Sequence, residues 1–165
     1  MAYDINFKKE AEIKLHIRRF LLYPSFWHDG TKHYMHLLQW RNLKFLQKNV
    51  SKIPLQAGIY CFVVKPAIPN FFPTQYLFYV GQTTRTLRKR FQEYLDNQQG
   101  KGKPRKKVFS MLNLYKHDIY FYFTPIPNNT VINEVEDKLI NMFVPHINTQ
   151  IPEAKISPEL QYIYE

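Results

Sequence analysis

Two runs of β-forming residues, "AGIYCFVV" at 57–64 and "YLFYVG" at 76–81, constrain this chain more than anything else in it. Each sets a tyrosine beside a glycine, as Gly58-Ile59-Tyr60 in the first and Tyr79-Val80-Gly81 in the second. Aromatic and β-branched residues at this density fit a pleated, largely buried surface. The segment between them, "KPAIPNFFPTQ", holds prolines that cannot continue a central strand. The two runs therefore predict an antiparallel hairpin with a long connection, able to line a small pocket with two phenols.

The elements that follow alternate in period. "TTRTLRKRFQEYLDN" reads as a helix with Leu87, Phe91, Tyr94 and Leu95 on one face and Thr83 or Thr84 as the cap. A glycine-broken basic loop, "QQGKGKPRKK", leads into a short helix, "VFSMLNLYK". "DIYFYFTPI" alternates like a third strand, and "VINEVEDKLINMF" is an amphipathic helix stopped before Pro145. The first fifty residues differ in character. Ile13, Ile17, Phe20 and Leu21 fall at helical spacing, although Ile13, Leu15 and Ile17 also alternate like a strand. A turn at Asp29-Gly30 precedes a second helical pattern through Met35, Leu38, Phe45 and Leu46. The expected class is α+β, a small three-stranded antiparallel or mixed sheet flanked by helices. The expected division is a mostly helical extension at 1–56 packed on the core, a core domain at 57–150 and an irregular tail at 151–165.

A chain of 165 residues, 45% of them hydrophobic, supports one core and not two comfortable domains. Twelve tyrosines and thirteen phenylalanines argue against a disordered chain. The formal net charge of +10 points to a polyanionic partner, because basic side chains that neutralise phosphates release condensed counterions. Cys61 is the only cysteine, which excludes an intramolecular disulfide and a multi-cysteine zinc site. Inside a strand run it reads as a small buried hydrophobe. His28, His33 and His36 cluster without a carboxylate or thiol motif and form no recognisable metal set. No apolar signal region or run long enough to span a membrane is evident, so the chain reads as intracellular and soluble.

The ordered set Tyr60, Tyr79, Gly81, Arg90, Glu136, Pro145 and Asn148, covering roughly residues 57–148, resembles the GIY-YIG nuclease family. Glu136 opens a Glu-x-x-Leu-Ile pattern, and Pro145 and Asn148 stand in "PHIN". The resemblance implies a metal-dependent endonuclease that hydrolyses phosphodiester bonds, with DNA as substrate. It implies Tyr60 as general base, Tyr79 in the water and phosphate network, Arg90 on the scissile phosphate and Asn148 as a brace. Glu136 would hold one divalent cation, Mg²⁺ with Mn²⁺ as its substitute. Tyr94 follows Arg90 by one helical turn, where many members carry histidine and others, among them excision-repair nucleases, carry tyrosine. The stretch from Gly81 to Arg90 is one residue longer than in many members, so Arg88 and Lys89 are alternatives for the phosphate role.

The chemistry can be stated without the family. Phosphodiester hydrolysis needs an activated water, a proton acceptor, and charge stabilisation on the phosphoryl oxygens and the leaving 3′ oxygen. A tyrosine of ordinary pKa near 10 is a poor base unless cations favour the phenolate. Arg88, Lys89 and Arg90 are near enough in sequence to supply such a field. Arg85 and Lys101, Lys103, Arg105, Lys106 and Lys107 would add a basic rim that positions backbone phosphates without reading bases. Each residue also has a plain structural alternative. The tyrosines would be core, the charge run on the helix a solvated face, and Glu136 a carboxylate at the edge of an apolar stripe. Two other readings stand beside the DNA endonuclease: a non-catalytic nucleic-acid-binding module on the same scaffold, and an RNA nuclease. A homodimer is an option for cutting both strands.

Overall fold

The structure, a computed structural model, describes residues 2–30, 38–148, 157–160 and 162–164, with backbone alone at 2–7 and 29–30. Met35, His33, His36 and most of the expected tail lie outside the described residues. Helices α1 (Ala2–His16) and α2 (Pro24–Gly30) precede a strand β1 (Arg41–Lys44) and a 3₁₀ turn (Gln47–Lys52). The hairpin β2 (Gly58–Val64) and β3 (Tyr76–Thr83) follows, then α3 (Leu87–Gln98), α4 (Lys106–Leu114), β4 (Ile119–Pro125) and α5 (Asn129–Phe143). A 3₁₀ turn, Pro158–Leu160, stands near the C-terminus.

The sheet is antiparallel throughout, in the order β1-β4-β2-β3. The α+β class is the expected one, and the sheet has four strands where three were read. The added strand comes from a segment read as helix, in which Arg41 to Lys44 pair with Tyr120 to Phe123. Four residues are too few for a period, and their place is decided by the unpaired edge of β4 beside them. Phe45 then turns inward and is almost wholly buried. At the N-terminus α1 forms as read, but Ile13, Leu15 and Ile17 are all exposed. The contacts there are made by the segment beyond it, where Phe20 meets Tyr76 and Phe78 and the Leu21 N–H donates to the Tyr164 hydroxyl.

β2 lies between β4 and β3 and is buried along its whole length, which explains its unbroken apolar run. Its alternate residues feed two cores. Tyr60, Phe62 and Val64 join Phe121 and Phe123 beneath α3 and α4, meeting Leu87, Phe91, Tyr94 and Leu112. Ile59, Cys61 and Val63 join Val80 beneath α5, meeting Ile132, Val135, Leu139 and Ile140. A bulge opposite Phe62 and Val63 adds one residue to β3, and so both Phe78 and Tyr79 enter the first core. Among the described residues no helix is long and apolar enough to cross a membrane.

Candidate active site

Tyr60 on β2 stands opposite Gly81 on β3. A Cβ at Gly81 would lie 2.6 Å from both Cζ and the hydroxyl of Tyr60 and 2.7 Å from Cε1 of Tyr79. Only glycine leaves room for two phenol rings over this point of the strand, their centroids 6.2 Å apart. Gly58 is required for a different reason, since a Cβ there would run into the Thr124 carbonyl of β4.

α3 supplies the third phenol and the first guanidinium, and its start is held firmly. Three of the N–H groups that a helix leaves unpaired find acceptors outside its backbone ladder. Leu87 donates to the Gln56 carbonyl, Arg88 to that of Pro54 and Lys89 to the Thr86 hydroxyl, while the Thr86 carbonyl accepts the first bond of the helix, from Arg90. Thr86 is therefore the cap, not Thr83 or Thr84, because the β3 ladder runs on through Thr83. From this base Arg90 Nε donates to the Tyr60 hydroxyl at 2.9 Å, and Nη2 to the Tyr94 hydroxyl at 3.2 Å. The hydroxyls of Tyr60 and Tyr94 are 3.0 Å apart and share a hydrogen bond. Glu93, which sequence reasoning missed, accepts from Arg90 Nη1 at 2.9 Å and pairs with Arg85 at 2.7 Å. Its signal was available, since Glu93 follows Arg90 by three residues on one helix.

Arg105 completes the cluster. It caps α4 without a side-chain hydrogen bond to the helix, and its Nη2 instead donates to the Tyr79 hydroxyl at 3.0 Å. Sequence reasoning had set this residue on the basic rim. Tyr60, Tyr79 and Tyr94 are at most 4% exposed. Arg90 keeps 27% of its side chain accessible, and Arg105 is exposed, so the cluster meets solvent through its two guanidiniums.

The protonation states follow from this burial. Burial, reinforced by the neighbouring phenols Tyr94 and Tyr79, pushes the Tyr60 hydroxyl well above its ordinary value, and Arg90 only partly opposes the shift. Burial and Tyr79 push Tyr94 up in the same way. Of the expected cations Arg90 reaches the phenols, with Arg105 beside it, but desolvation outweighs their field and keeps Tyr60 and Tyr94 in the neutral form. Burial alone would also raise Glu93, but its bonds to Arg85 and Arg90 outweigh that effect and hold the carboxyl below the usual range.

Asn148 is placed by the turn that ends α5. Val144 closes the helix in the left-handed region at φ 41°, and the chain then runs along the outer edge of β3. The Asn148 side chain accepts from the Val80 N–H at 2.8 Å and donates to the Val80 carbonyl at 2.6 Å. It thus pairs with the edge strand as a neighbouring strand would, between Tyr79 and Gly81.

Arg88 is committed to the Ile53 and Ser51 carbonyls at 2.7 and 2.9 Å, away from the phenols. Lys89, Lys101, Lys103 and Lys106 are exposed, Lys107 is half-buried, and Gly100 and Gly102 hold the intervening loop in positive-φ turns. Glu136 is half-buried on α5, whose apolar stripe covers the opposite face of the sheet from Tyr60.

A small antiparallel α+β domain with paired phenols over a strand glycine and an arginine from the next helix defines a class of nuclease scaffold. The family model described as the GIY-YIG catalytic domain matches residues 56–148, more than half of the chain. The chain belongs to this family, which is one of nucleases acting on nucleic acids and generally using divalent metal ions. No curated protein and no solved structure matches it.

Proposed function

We propose that the chain is a metal-dependent endonuclease hydrolysing phosphodiester bonds in DNA, with the phenol and guanidinium cluster as its reaction centre. The observation that carries this reading is the Arg90 side chain, bonded at once to the Tyr60 and Tyr94 hydroxyls while part of it stays open to solvent. A planar guanidinium in that position suits phosphoryl oxygens better than an ammonium would. Glu93 holds its orientation. Tyr60 would take the proton of the attacking water, Tyr79 and Arg105 would support the phosphate, and Asn148 would keep the β3 backbone in register. Arg85 and the exposed lysines at 89, 101, 103 and 106 would meet flanking phosphates.

Glu136, a half-buried carboxylate next to the half-buried Asp137, fits a cation that needs few protein ligands, and Mg²⁺ or Mn²⁺ keeps waters and shares substrate oxygens. Among the described residues no group of three or more His, Cys, Asp or Glu offers a fuller cage. When bound, the cation would neutralise charge on the phosphoryl oxygens and the leaving 3′ oxygen. The deep burial of all three phenols favours one second reading, a non-catalytic binding module on the same scaffold.

The test is digestion of single- and double-stranded DNA and RNA side by side with Mg²⁺ or Mn²⁺. Cleavage of DNA is expected. Tyr60→Phe and Glu136→Ala should each lower it by about 100-fold or more while leaving binding largely intact. Full activity in both variants removes the assignment. RNA as the only substrate cut makes it an RNA nuclease, and binding without product makes it the module.

A further inference from the structure

Residues 65–75 join β2 to β3 and carry an apolar patch that the phenol cluster does not use. Phe71 and Phe72 are 52% and 69% exposed, and Ile68, bonded to Phe71 through the backbone, is 56% exposed. The two phenyl rings stack on each other, with centroids 4.1 Å and planes 28° apart. Single exposed apolar side chains need no explanation, whereas a paired ring stack on a loop marks a contact surface.

The loop holds this stack in shape. Pro66, Pro69 and Pro73 each fix a backbone angle. Asn70 takes the left-handed conformation at φ 60°, which asparagine tolerates, and the Phe71 N–H donates to the Ile68 carbonyl at 3.3 Å. The roots are pinned as well. Lys65 donates its N–H to the Asp118 carbonyl at 2.8 Å and its Nζ to the Tyr122 hydroxyl at 3.1 Å. That hydroxyl in turn donates to Gln75 Oε1 at 2.9 Å. A surface ordered before contact loses little entropy on binding. Its roots, where Val64 pairs with Tyr76, lie four residues along β2 from Tyr60, about 13 Å at the rise of a strand.

The chemistry of the patch narrows what it can meet. From Pro66 to Gln75 no side chain is charged, so the loop offers planar apolar faces and no cation for a phosphate. At this exposure the two rings present on the order of 200 Å². That is well short of the roughly 800 Å² each partner gives to a standard protein interface. It is enough for the face of one or two nucleobases, and the chain belongs to a family acting on nucleic acids and carries a net charge of +10. We propose that Phe71 and Phe72 form a stacking platform for unpaired bases of the substrate. A base inside a duplex is already stacked on both faces, so the platform favours single strands, bulges and flaps over plain duplex. The choice of nucleic acid rests on the function proposed above; the platform itself rests on the rigid, exposed ring pair.

The experiment uses the full chain without added metal and three probes: a short DNA single strand, the matching strand with abasic sugars in place of its bases, and the duplex. Phe72→Ala, and the double variant Phe71→Leu with Phe72→Leu, which keeps apolar bulk but removes the rings, should each weaken single-strand binding by about 5- to 150-fold. Binding to the duplex and to the abasic strand should stay at the parent's level. The slope of log K against log salt on the single strand should also stay unchanged, because no phosphate contact is lost. An equal loss on all three probes, a lowered salt slope, or single-strand binding untouched in both variants overturns the platform. So does a parent that sediments as a dimer and becomes a monomer in Phe72→Ala, which would assign the rings to a second copy of the chain. The selective loss in a protein that cuts nothing would retain the platform and remove the nuclease. Cleavage by a protein whose variants bind every probe as the parent does would do the reverse.

Discussion

Gly81 sets how closely two phenols can approach one backbone position. Gly81→Ala would place a methyl within 2.6 Å of the Tyr60 ring, and both rings would have to shift. Overpacking of this kind costs about 1–3 kcal/mol. The expected result is a lower denaturant midpoint, with cleavage reduced further than the lost folded fraction explains; parent-level cleavage in the folded variant would show that phenol placement does not matter. The Tyr60 hydroxyl carries a second prediction. Burial raises its pKa, so the deprotonated form is scarce at neutral pH and grows with every step upward. With Tyr60 as base, the cleavage rate should climb about tenfold per unit between roughly pH 6 and 9. A plateau near neutrality would assign the base role elsewhere.

At the scale of elements, the site depends on an edge strand that does not behave as one. β3 ends the sheet, yet its outer side is met by the 145–148 strip and by the segment after α1. Val80 is fully buried, and Asn148 satisfies both of its backbone groups. Asn148→Ala would leave a buried N–H and a buried carbonyl unpaired, at about 2–4 kcal/mol together. Hydrogen exchange at the Val80 amide should accelerate markedly in this variant, and unchanged protection there would mean that the clamp is not what holds the strand. α3 is positioned by a comparable device. Its first-turn donors and the Arg88 side chain are all taken by residues 51–56 and Thr86, and this fixes the direction in which Arg90 leaves the helix.

Across the whole molecule, helices cover both faces of one sheet, and the chain carries a formal excess of ten positive charges. Affinity for nucleic acid should therefore fall steeply with salt. With six to ten phosphate contacts the loss is about 10³–10⁵-fold between roughly 50 and 200 mM. A salt-independent affinity would show that the basic surface is not the binding surface. The exposed, stacked pair Phe71 and Phe72 in the long hairpin connection stands apart from this charge, with ring centroids 4.1 Å apart.

Much of this protein was legible in its residues, because local chemistry there leaves little choice. The two strand runs, the helix after the second and the α+β class could be read from period and spacing, and the ordered tyrosines, arginine and asparagine from the family resemblance. Four-residue β1 could not, since nothing so short has a period and only the open edge of β4 selects it. Nor could the pairing of Arg105 with Tyr79 or the commitment of Arg88 to two carbonyls, as a guanidinium's partner depends on which elements fold beside it. The most consequential decision was electrostatic. Arginines adjacent in sequence suggested ionised phenols, but burial beneath α3 and α4 outweighs them, and desolvation is a property of the packed molecule, absent from any stretch of its chain.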